Sequence, residues 1–458
     1  MLSNLALIAF TVFVFVLLRF DRKQASGVTK ALWIPTVWIL YIGSKPLNRW
    51  FPSSGATVES SPLDRGFLIM LLFASLWILI RRHLPVAEVI RKNKPLMILF
   101  AFMTISVIWS SAPGESLARW VREILAVAMA LVVISEPSPR QAVESLLRRI
   151  TYVLIPYSVL LIKYFPYYGR EYGRWTGEVS WVGVTLQKNG LGRLCLIAML
   201  YLLWTFIRRW RKKAGPVPRY QIYCDVLVLL MAIWLTKGPS INSYSATGLV
   251  SMTLGLLVYG GLQIMRKTGF GTVKRALTLL LLIAIIVGVT TPFTSGSAVG
   301  SFSSYLGRNR TLTDRTSIWA FLLPVAMRTP LLGRGLGGVY TLRSRESFRV
   351  GQLILTEAHN GYLDLILAYG FIGLILASIF LISSGWKAQL ELSCDYEWGS
   401  IWICFLVAAL IHNISESSLH TFQSQLTAVL LMFSVSSGIT APEADEQDGA
   451  GIEKVQTP

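Results

Sequence analysis

The chain has 458 residues, of which 53% are hydrophobic and only 15% are charged, and its mean hydropathy is +0.55. Soluble domains average about 25% charged residues, so this composition excludes an ordinary soluble protein and fits a protein whose solvent is mostly lipid. The net charge of +19 does not indicate nucleic-acid binding, because the positive residues cluster in short segments between apolar runs.

Apolar runs of roughly the length needed to cross a bilayer, about 20 residues in a helix, recur along the whole chain. We expect about thirteen spans, at residues 2–19, 31–44, 66–81, 95–110, 119–135, 150–165, 189–207, 222–236, 246–265, 276–292, 359–383, 400–415 and 422–438. The first run has neither a basic leader nor a small-residue cleavage site, which predicts a retained span. The sequence therefore predicts an all-α polytopic membrane protein with about 12–13 transmembrane helices.

Loops rich in lysine and arginine alternate along the chain with loops that have few of them. This alternation predicts the orientation of the protein in the membrane. Loops such as RFDRKQASGVTK and RRWRKKAGPVPR are rich in both, whereas SSAPGES and ISESSLH are not. Positive loops face the cytoplasm, so we expect the N-terminus outside and the C-terminus inside. The predicted segments are ten spans in 1–292, an external loop in 293–357, three spans in 358–438 and a disordered cytoplasmic tail in 439–458.

The external loop is unusual because it contains eight arginines and no lysine. They are Arg308, Arg310, Arg315, Arg328, Arg334, Arg343, Arg345 and Arg349. Arginine pairs bidentately with phosphate, so the loop suits an anionic ligand such as a lipid-linked diphosphate. Contacts with anionic lipid headgroups, or ion pairs that fold the loop, are the alternatives for most of them. The strongest binding candidates are Arg315 and Arg334.

Two short patterns surround these arginines. In LTDRTSIWAF, Thr313 or Asp314 could cap a short surface helix whose apolar face continues through Ile318 and Trp319. The GRGLGG stretch around Arg334 offers free backbone N–H groups, which could form an anion-binding concavity or a plain turn.

The sequence Glu357-Ala-His359-Asn360 lies where the loop meets the next apolar run. A neutral imidazole accepts a proton from a hydroxyl at physiological pH, provided that a partner fixes its tautomer. Glu357 or Asn360 could be that partner. A position at the start of a helix favours the neutral imidazole, because the helix dipole is positive there. The alternative is a capping histidine without a chemical role.

Residues 166–188 are a third external feature, in which tyrosines and tryptophans alternate with charged residues. This pattern suits a sugar-binding surface but is more typical of an interfacial aromatic belt. Lys188 and Arg193 follow at the entry to the next span, where a charge is costly and is therefore a functional candidate.

Several of these motifs, in this order, resemble those of the O-antigen ligase and polysaccharide polymerase superfamily, especially its exopolysaccharide branch. They are VIWSSAPGESLARWVREI, LQKNGLGRL, LTDRTSIW, LLGRGLGG and EAHNGYLDLILAYGFIGL, and the likeness covers roughly residues 30–435. Gln187 stands where the family commonly has histidine, and Thr313-Asp314 replaces its usual small residue and glycine.

The resemblance implies a GT-C-like fold in the bacterial inner membrane, without metal or cofactor. Its members transfer a glycan from an undecaprenyl-diphosphate carrier to a hydroxyl of a glycan, lipid or protein acceptor. By the same resemblance, His359 is the base, Arg315 binds the diphosphate, and Lys188 or Arg193 is a second cationic contact. Further substrate-binding or supporting candidates are Arg334, Tyr340, Glu357, Asn360 and Glu416.

A polysaccharide polymerase is the favoured activity, with a ligase as the nearest alternative. No paired-carboxylate nucleophile is evident, so a single displacement with inversion is expected. A lipid-linked oligosaccharide flippase is the alternative from another class, but the sequence lacks the internal repeat expected of a transporter. Membrane lipids and a polysaccharide export machinery are the further partners expected.

Overall fold

The computed structural model describes residues 1–51, 61–82, 84, 86–172, 177–211, 215, 217–240, 244–266, 270–294, 315–341, 348–350 and 353–436. Some predictions lie outside these residues: the capping role of Thr313 or Asp314, the disordered tail 439–458, and any contact of Arg308, Arg310, Arg343 or Arg345.

Helices make up most of the described chain. The α-helices are α1 (Leu2–Gln24), α2 (Trp33–Ile42), α3 (Leu47–Trp50), α4 (Pro62–Arg82), α5 (Val86–Lys92), α6 (Lys94–Ile105), α7 (Pro113–Ile134), α8 (Pro139–Tyr164), α9 (Pro166–Gly169), α10 (Lys188–Trp210), α11 (Arg219–Lys237), α12 (Ala246–Met265), α13 (Phe270–Thr290), α14 (Arg315–Ala326), α15 (Gly361–Cys394), α16 (Tyr396–Ser415) and α17 (Gln425–Ser436). A 3-10 turn at Lys30–Leu32 leads into α2.

Extended structure is confined, in the described ranges, to two small hairpins. Strand β1 (Arg170–Tyr172) pairs antiparallel with β2 (Val179–Trp181), and β3 (Arg349–Val350) pairs antiparallel with β4 (Leu353–Ile354). Both hairpins belong to segments that the sequence predicts to be external loops.

Each predicted apolar run falls on a helix. By length and composition, nine of the described helices could cross a membrane, namely α1, α4, α8, α10, α11, α12, α13, α15 and α16. The 3-10 turn with α2, and helices α6 and α17, are shorter but apolar. Helix α7 covers the remaining run and carries charged residues in its first half. The prediction of an all-α polytopic membrane protein is confirmed.

Helix α16 lies at the centre of the bundle, where it packs against α10, α12, α13, α15 and α17. Its Trp402 and Phe405 rings each lie 5.8 Å from the Phe433 ring of α17, measured between centroids. The peripheral helices, in contrast, expose large apolar side chains. Phe15 of α1 and Phe73 of α4 are both 67% exposed. Large exposed apolar side chains on long helices fit a surface that faces lipid.

A buried ion cluster joins RFDRKQASGVTK to PSPRQAVESLLRR, a second segment whose positive charge predicts a cytoplasmic location. The Asp21 carboxylate, near the end of α1, accepts hydrogen bonds from Arg148 at 3.0 Å and from Arg149 at 2.6 Å. Ser145 donates to the same carboxylate at 2.8 Å. Because buried charges are tolerated only when they are paired, this cluster fixes α1 against α8.

Helix α15 is broken near its start. Gly370 has φ 64° and ψ −168°, which separates an initial arm, Gly361–Tyr369, from the rest of the 34-residue helix. A Cβ atom at Gly370 would lie 2.2 Å from the Leu331 carbonyl oxygen. Only glycine therefore allows the loop after α14 to dock against the break.

The GRGLGG stretch belongs to that docked loop. The Arg334 N–H donates to the Leu367 carbonyl at 2.9 Å, and the Leu336 N–H donates to Ser106 Oγ at 3.0 Å. Gly338 N–H closes a turn onto the Gly335 carbonyl at 3.0 Å. Since these N–H groups bond to the protein itself, the structure favours the turn over the anion-binding concavity.

Candidate functional site

His359 has a strained backbone. Its φ is 51°, and it is the one residue other than glycine with positive φ in the part of the chain that the structure describes. The left-handed conformation costs an L-residue roughly 1–2 kcal/mol, and such strain concentrates at functional sites. The surrounding structure must hold this loop in place.

Two side chains hold the residue before His359. The Ala358 N–H donates to Asp364 Oδ2 at 3.0 Å, and the Ala358 carbonyl accepts from Trp319 Nε1 at 3.0 Å. Asp364 also accepts hydrogen bonds from Tyr340 OH, at 2.8 Å, and from Ser417 Oγ. Trp319 lies on α14, so this helix packs against the loop that carries His359. The predicted place of the helix along the membrane surface stays a prediction.

Asn360 has a structural role in this geometry. Its side chain caps α15 by accepting from the Leu363 N–H at 2.8 Å, and its Nδ2 donates to the Ile414 carbonyl at 2.9 Å. The side chain is fully buried. Both ends of the amide are thus occupied, and Asn360 is not positioned to orient the imidazole.

Two carboxylates face the imidazole instead. His359 Nδ1 lies 3.2 Å from Glu357 Oε1 and 3.9 Å from Glu416 Oε2. The angles give Nδ1 no hydrogen bond to a described residue, so these are ion-pair contacts. Arg315 Nη2 donates to Glu416 Oε1, and Asn189 Nδ2 donates to the same oxygen at 2.5 Å. One carboxylate therefore links the histidine loop to α10 and α14.

Arg193 approaches the same carboxylates from α10. Its Nη1 donates to Ser418 Oγ at 3.1 Å, and its charge interacts with Glu416 and Glu357. The buried Nε of Arg193 has no acceptor among the described residues. The site thus places two permanent cations and two carboxyl groups around the His359 imidazole.

The electrostatics do not favour the neutral imidazole that the helix dipole predicts. Burial lowers the pKa of His359, but the nearby carboxylates of Glu416 and Glu357 raise it by more. The net pKa therefore lies above its usual value, and the prediction of a shift toward the neutral form is wrong. Burial also raises the pKa of Glu357, whereas the interactions of Glu416 with His359 and Arg315 outweigh burial and lower the pKa of Glu416.

The other predicted residues lie at different distances from this centre. Lys188 begins α10 and lines a separate cleft with Trp181 and Tyr244. The Arg334 guanidinium lies over the Phe348 ring at 5.7 Å. Phe348 in turn packs edge-on against Tyr340. The binding roles of these residues stay predictions.

The imidazole and the two carboxylates could also bind a metal ion, since their ligand atoms lie within 4.8 Å of one another. A cation at that position would meet the charges of Arg315 and Arg193, and Arg315 already pairs with Glu416. The arrangement is therefore better suited to moving a proton than to holding a metal.

Sequence reasoning missed Asp364 and Asn189 as site residues. Asp364 follows His359 by five positions in the same EAHNGYLD motif, and Asn189 is part of LQKNGLGRL. Both residues thus lie within motifs that the sequence already singles out. An acid in the first turn of a helix is, however, ordinarily explained by its favourable interaction with the helix dipole. Only the fold shows that Asp364 holds the backbone beside His359.

The fold and this site define an integral membrane protein with a polar centre where α10, α14, α15 and α16 meet. Residues 240–378 match the family model for O-antigen ligase. The chain is also 23% identical over 299 residues to the exopolysaccharide production protein ExoQ of Rhizobium meliloti (strain 1021). That alignment covers 62% of this chain and 62% of the relative's length. Together the matches support an O-antigen ligase/polymerase-like family and confirm the resemblance that the motifs indicated.

Proposed function

We propose that the protein is a membrane glycosyltransferase that moves a glycan from a polyprenyl-diphosphate carrier to an acceptor hydroxyl on the outer face of the inner membrane. The observation that carries the proposal is the strained His359, held beside Glu357 and Glu416, with Arg315 bound to Glu416. The family match over residues 240–378 includes His359 and Arg315.

The reaction that fits this geometry is a single displacement. The acceptor oxygen attacks the anomeric carbon, the bond from that carbon to the diphosphate oxygen breaks, and the acceptor proton passes to His359. Nδ1 faces the carboxylates, so Nε2 is the nitrogen that takes the proton. Glu357 and Glu416 stabilise the imidazolium that forms, as a buried acid does in other base-assisted transfers.

Arg315 and Arg193 would stabilise the negative charge that develops on the leaving diphosphate. The side chain of Arg315 is 13% exposed and uses one of its donors on Glu416, which leaves other guanidinium donors for phosphate oxygens. Arg193 has the unpartnered Nε described above, which also suits an incoming oxygen atom.

Polymerisation is the form of transfer that we favour, because the relative in Rhizobium meliloti is named for exopolysaccharide production. A ligase that adds finished polymer to a lipid or a protein uses the same chemistry. The two differ in the acceptor, so the products separate them.

The test is incubation of the purified protein with a lipid-diphosphate-linked repeat unit, with and without added acceptor. A ladder of products indicates a polymerase, and a single adduct on the added acceptor indicates a ligase. We expect His359→Ala to lower the rate by about 10²–10⁴-fold while donor binding is retained. Arg315→Ala should lower the rate by about 10²–10³-fold.

Arg328→Ala is the matched control. Arg328 belongs to the same arginine-rich segment, but it is exposed just after the end of α14. Its removal should leave the rate within about twofold of wild type, as expected for a surface position. Full transfer by His359→Ala would contradict the proposed base.

A further inference from the structure

A groove of about 340 Å³ runs between α4 and α7. Its volume lies within the range of about 300–1,000 Å³ that small-molecule sites occupy. Arg65 and Arg122 line it together with the exposed Ile69 and Ala118, so the groove opens at the surface of the bundle. None of the residues placed at the candidate site above lines it.

The groove lies toward one end of both helices, and the loop charges predict that this end is external. Arg65 lies in the first turn of α4, and Gly114, which also lines the groove, lies in the first turn of α7. The predicted spans 66–81 and 119–135 within these helices are both expected to run inward from the outer face. In this orientation the groove faces the outer leaflet, near the level of the lipid headgroups.

Arg122 is the lining residue that calls for a partner from outside the protein. Its side chain is half-buried, and its guanidinium makes no hydrogen bond or ion pair with a residue that the structure describes. The guanidinium nitrogens keep exposed surface, so a ligand can reach them. A charge within a membrane helix is costly and is therefore a functional candidate.

The lining combines positive charge with apolar surface. Arg65, Arg119 and Arg122 outnumber Glu115, the single carboxylate among the lining residues. Leu68 follows Arg65 by one helical turn on the same face, so the groove becomes apolar as it runs toward the membrane interior. Arginine pairs well with phosphate through its planar set of donors. A ligand that fits both parts has a phosphate head followed by an apolar chain, which is the chemistry of a phospholipid.

Helix α7 also holds two loops of the candidate site. Arg119 donates to the Gly337 carbonyl at 3.1 Å and to the Tyr340 carbonyl at 2.9 Å, in the docked loop after α14. Glu123 accepts from the Phe422 N–H at 2.8 Å, in the loop between α16 and α17. A lipid bound between α4 and α7 would therefore stabilise the helix that holds these two loops.

We propose that this groove binds one anionic phospholipid of the outer leaflet, with its phosphate on Arg122 and an acyl chain along α4 and α7. A phospholipid is favoured over the polyprenyl carrier because the proposed diphosphate contacts, Arg315 and Arg193, do not line the groove. The site is saturable and selects for headgroup charge, unlike ordinary contact between lipid and a peripheral helix. The inference does not depend on the proposed transfer reaction.

The experiment measures the stability of the purified full-length protein in a neutral detergent as lipid is added. The lipids are dioleoylphosphatidylglycerol, which is anionic, and dioleoylphosphatidylcholine, whose choline offsets the phosphate charge. A ligand that binds the folded state raises the Tm, which tryptophan fluorescence reports. Phosphatidylglycerol should raise the Tm of wild type in a saturable way, and phosphatidylcholine should raise it clearly less.

Two variants test the place of the lipid. Arg122→Gln removes the charge and should leave the Tm without lipid unchanged, because the guanidinium has no partner among the described residues. Its apparent Kd for phosphatidylglycerol should rise by about 10- to 100-fold, as expected for a charge-assisted contact. Ala118→Trp fills the exposed mouth of the groove while Arg122 stays in place, and it should also weaken binding.

Arg328→Gln is the matched control, because Arg328 is an exposed arginine that does not line the groove. This variant should bind phosphatidylglycerol as wild type does. The proposal is overturned if the two lipids stabilise wild type equally, or if Arg122→Gln binds phosphatidylglycerol as tightly as wild type does. It is also overturned if undecaprenyl phosphate, added in the same way, acts through Arg122 and phosphatidylglycerol does not, which would assign the groove to the carrier.

Discussion

Because the backbone at His359 is strained, we expect glycine to be more stable than alanine at this position, which is the reverse of the usual order. His359→Ala and His359→Gly both remove the imidazole and its contacts with Glu357 and Glu416, so the difference between them isolates the backbone. At φ 51° a Cβ atom costs roughly 1–2 kcal/mol, which glycine avoids. Against this, the glycine variant loses about 0.4–1 kcal/mol of folding stability, because its unfolded chain has more conformational freedom than that of the alanine variant. His359→Gly should therefore be the more stable variant, by about 1 kcal/mol.

The assay is thermal unfolding of the detergent-solubilised proteins, followed by the fluorescence of the 15 tryptophans. The difference corresponds to a Tm that is higher by about 1–2 °C in His359→Gly, given the size of the chain. Under the proposed function, both variants should transfer glycan at least about 10²-fold more slowly than wild type. The control is Lys274, an exposed position in α13, where alanine should be more stable than glycine by about 1 kcal/mol. Equal or greater stability of His359→Ala would refute the argument from strain.

Two further variants probe the groups around the imidazole. Glu416→Gln removes a negative charge that raises the pKa of His359, so the pKa of His359 should fall in this variant. The acidic limb of the pH profile of kcat/KM should therefore move to lower pH. An unchanged limb would exclude the effect of Glu416 on the pKa of His359. Asp364→Asn replaces one of the two oxygens that accept from the Ala358 N–H with an amide donor, so it should destabilise the fold by about 1–3 kcal/mol while lowering kcat. Chemical denaturation measures the first effect, and a loss below about 1 kcal/mol would contradict the role of Asp364.

The helical architecture could be predicted well because each span carries its own signal. Apolar length depends only on local sequence, and the predicted runs therefore fall on helices even where the helix is longer, as in α8 and α15. The break at Gly370 could not be predicted in this way. It depends on the Leu331 carbonyl, which approaches from a loop 39 positions earlier, and an isolated glycine in an apolar run gives no such information.

The site residues that lie in local motifs could be predicted from the sequence. Residues that join the site through long-range contacts were harder to predict. His359 and Arg315 stand in recognisable motifs, and the fold brings both to Glu416. Glu416, which we named only as a supporting residue, follows Arg315 by 101 positions, in a loop whose only sequence feature is its lack of positive charge. The raised pKa of His359 follows from that contact, so reasoning from the helix dipole alone gave the wrong direction.

Under the proposed function, the ion pair between Arg315 and Glu416 has a consequence for selectivity and product release. An arginine that already holds an internal carboxylate has fewer donors and less net charge to offer a free phosphate, so a small anion would bind there weakly. A lipid-linked donor brings further contacts through its glycan and its prenyl chain, and these would add to the few contacts of its phosphates. Once the sugar has been transferred, the spent carrier would lose its glycan contacts and be held weakly while Glu416 stays on Arg315. The same carboxylate would thus exclude the wrong anions before the reaction and favour release of the carrier after it.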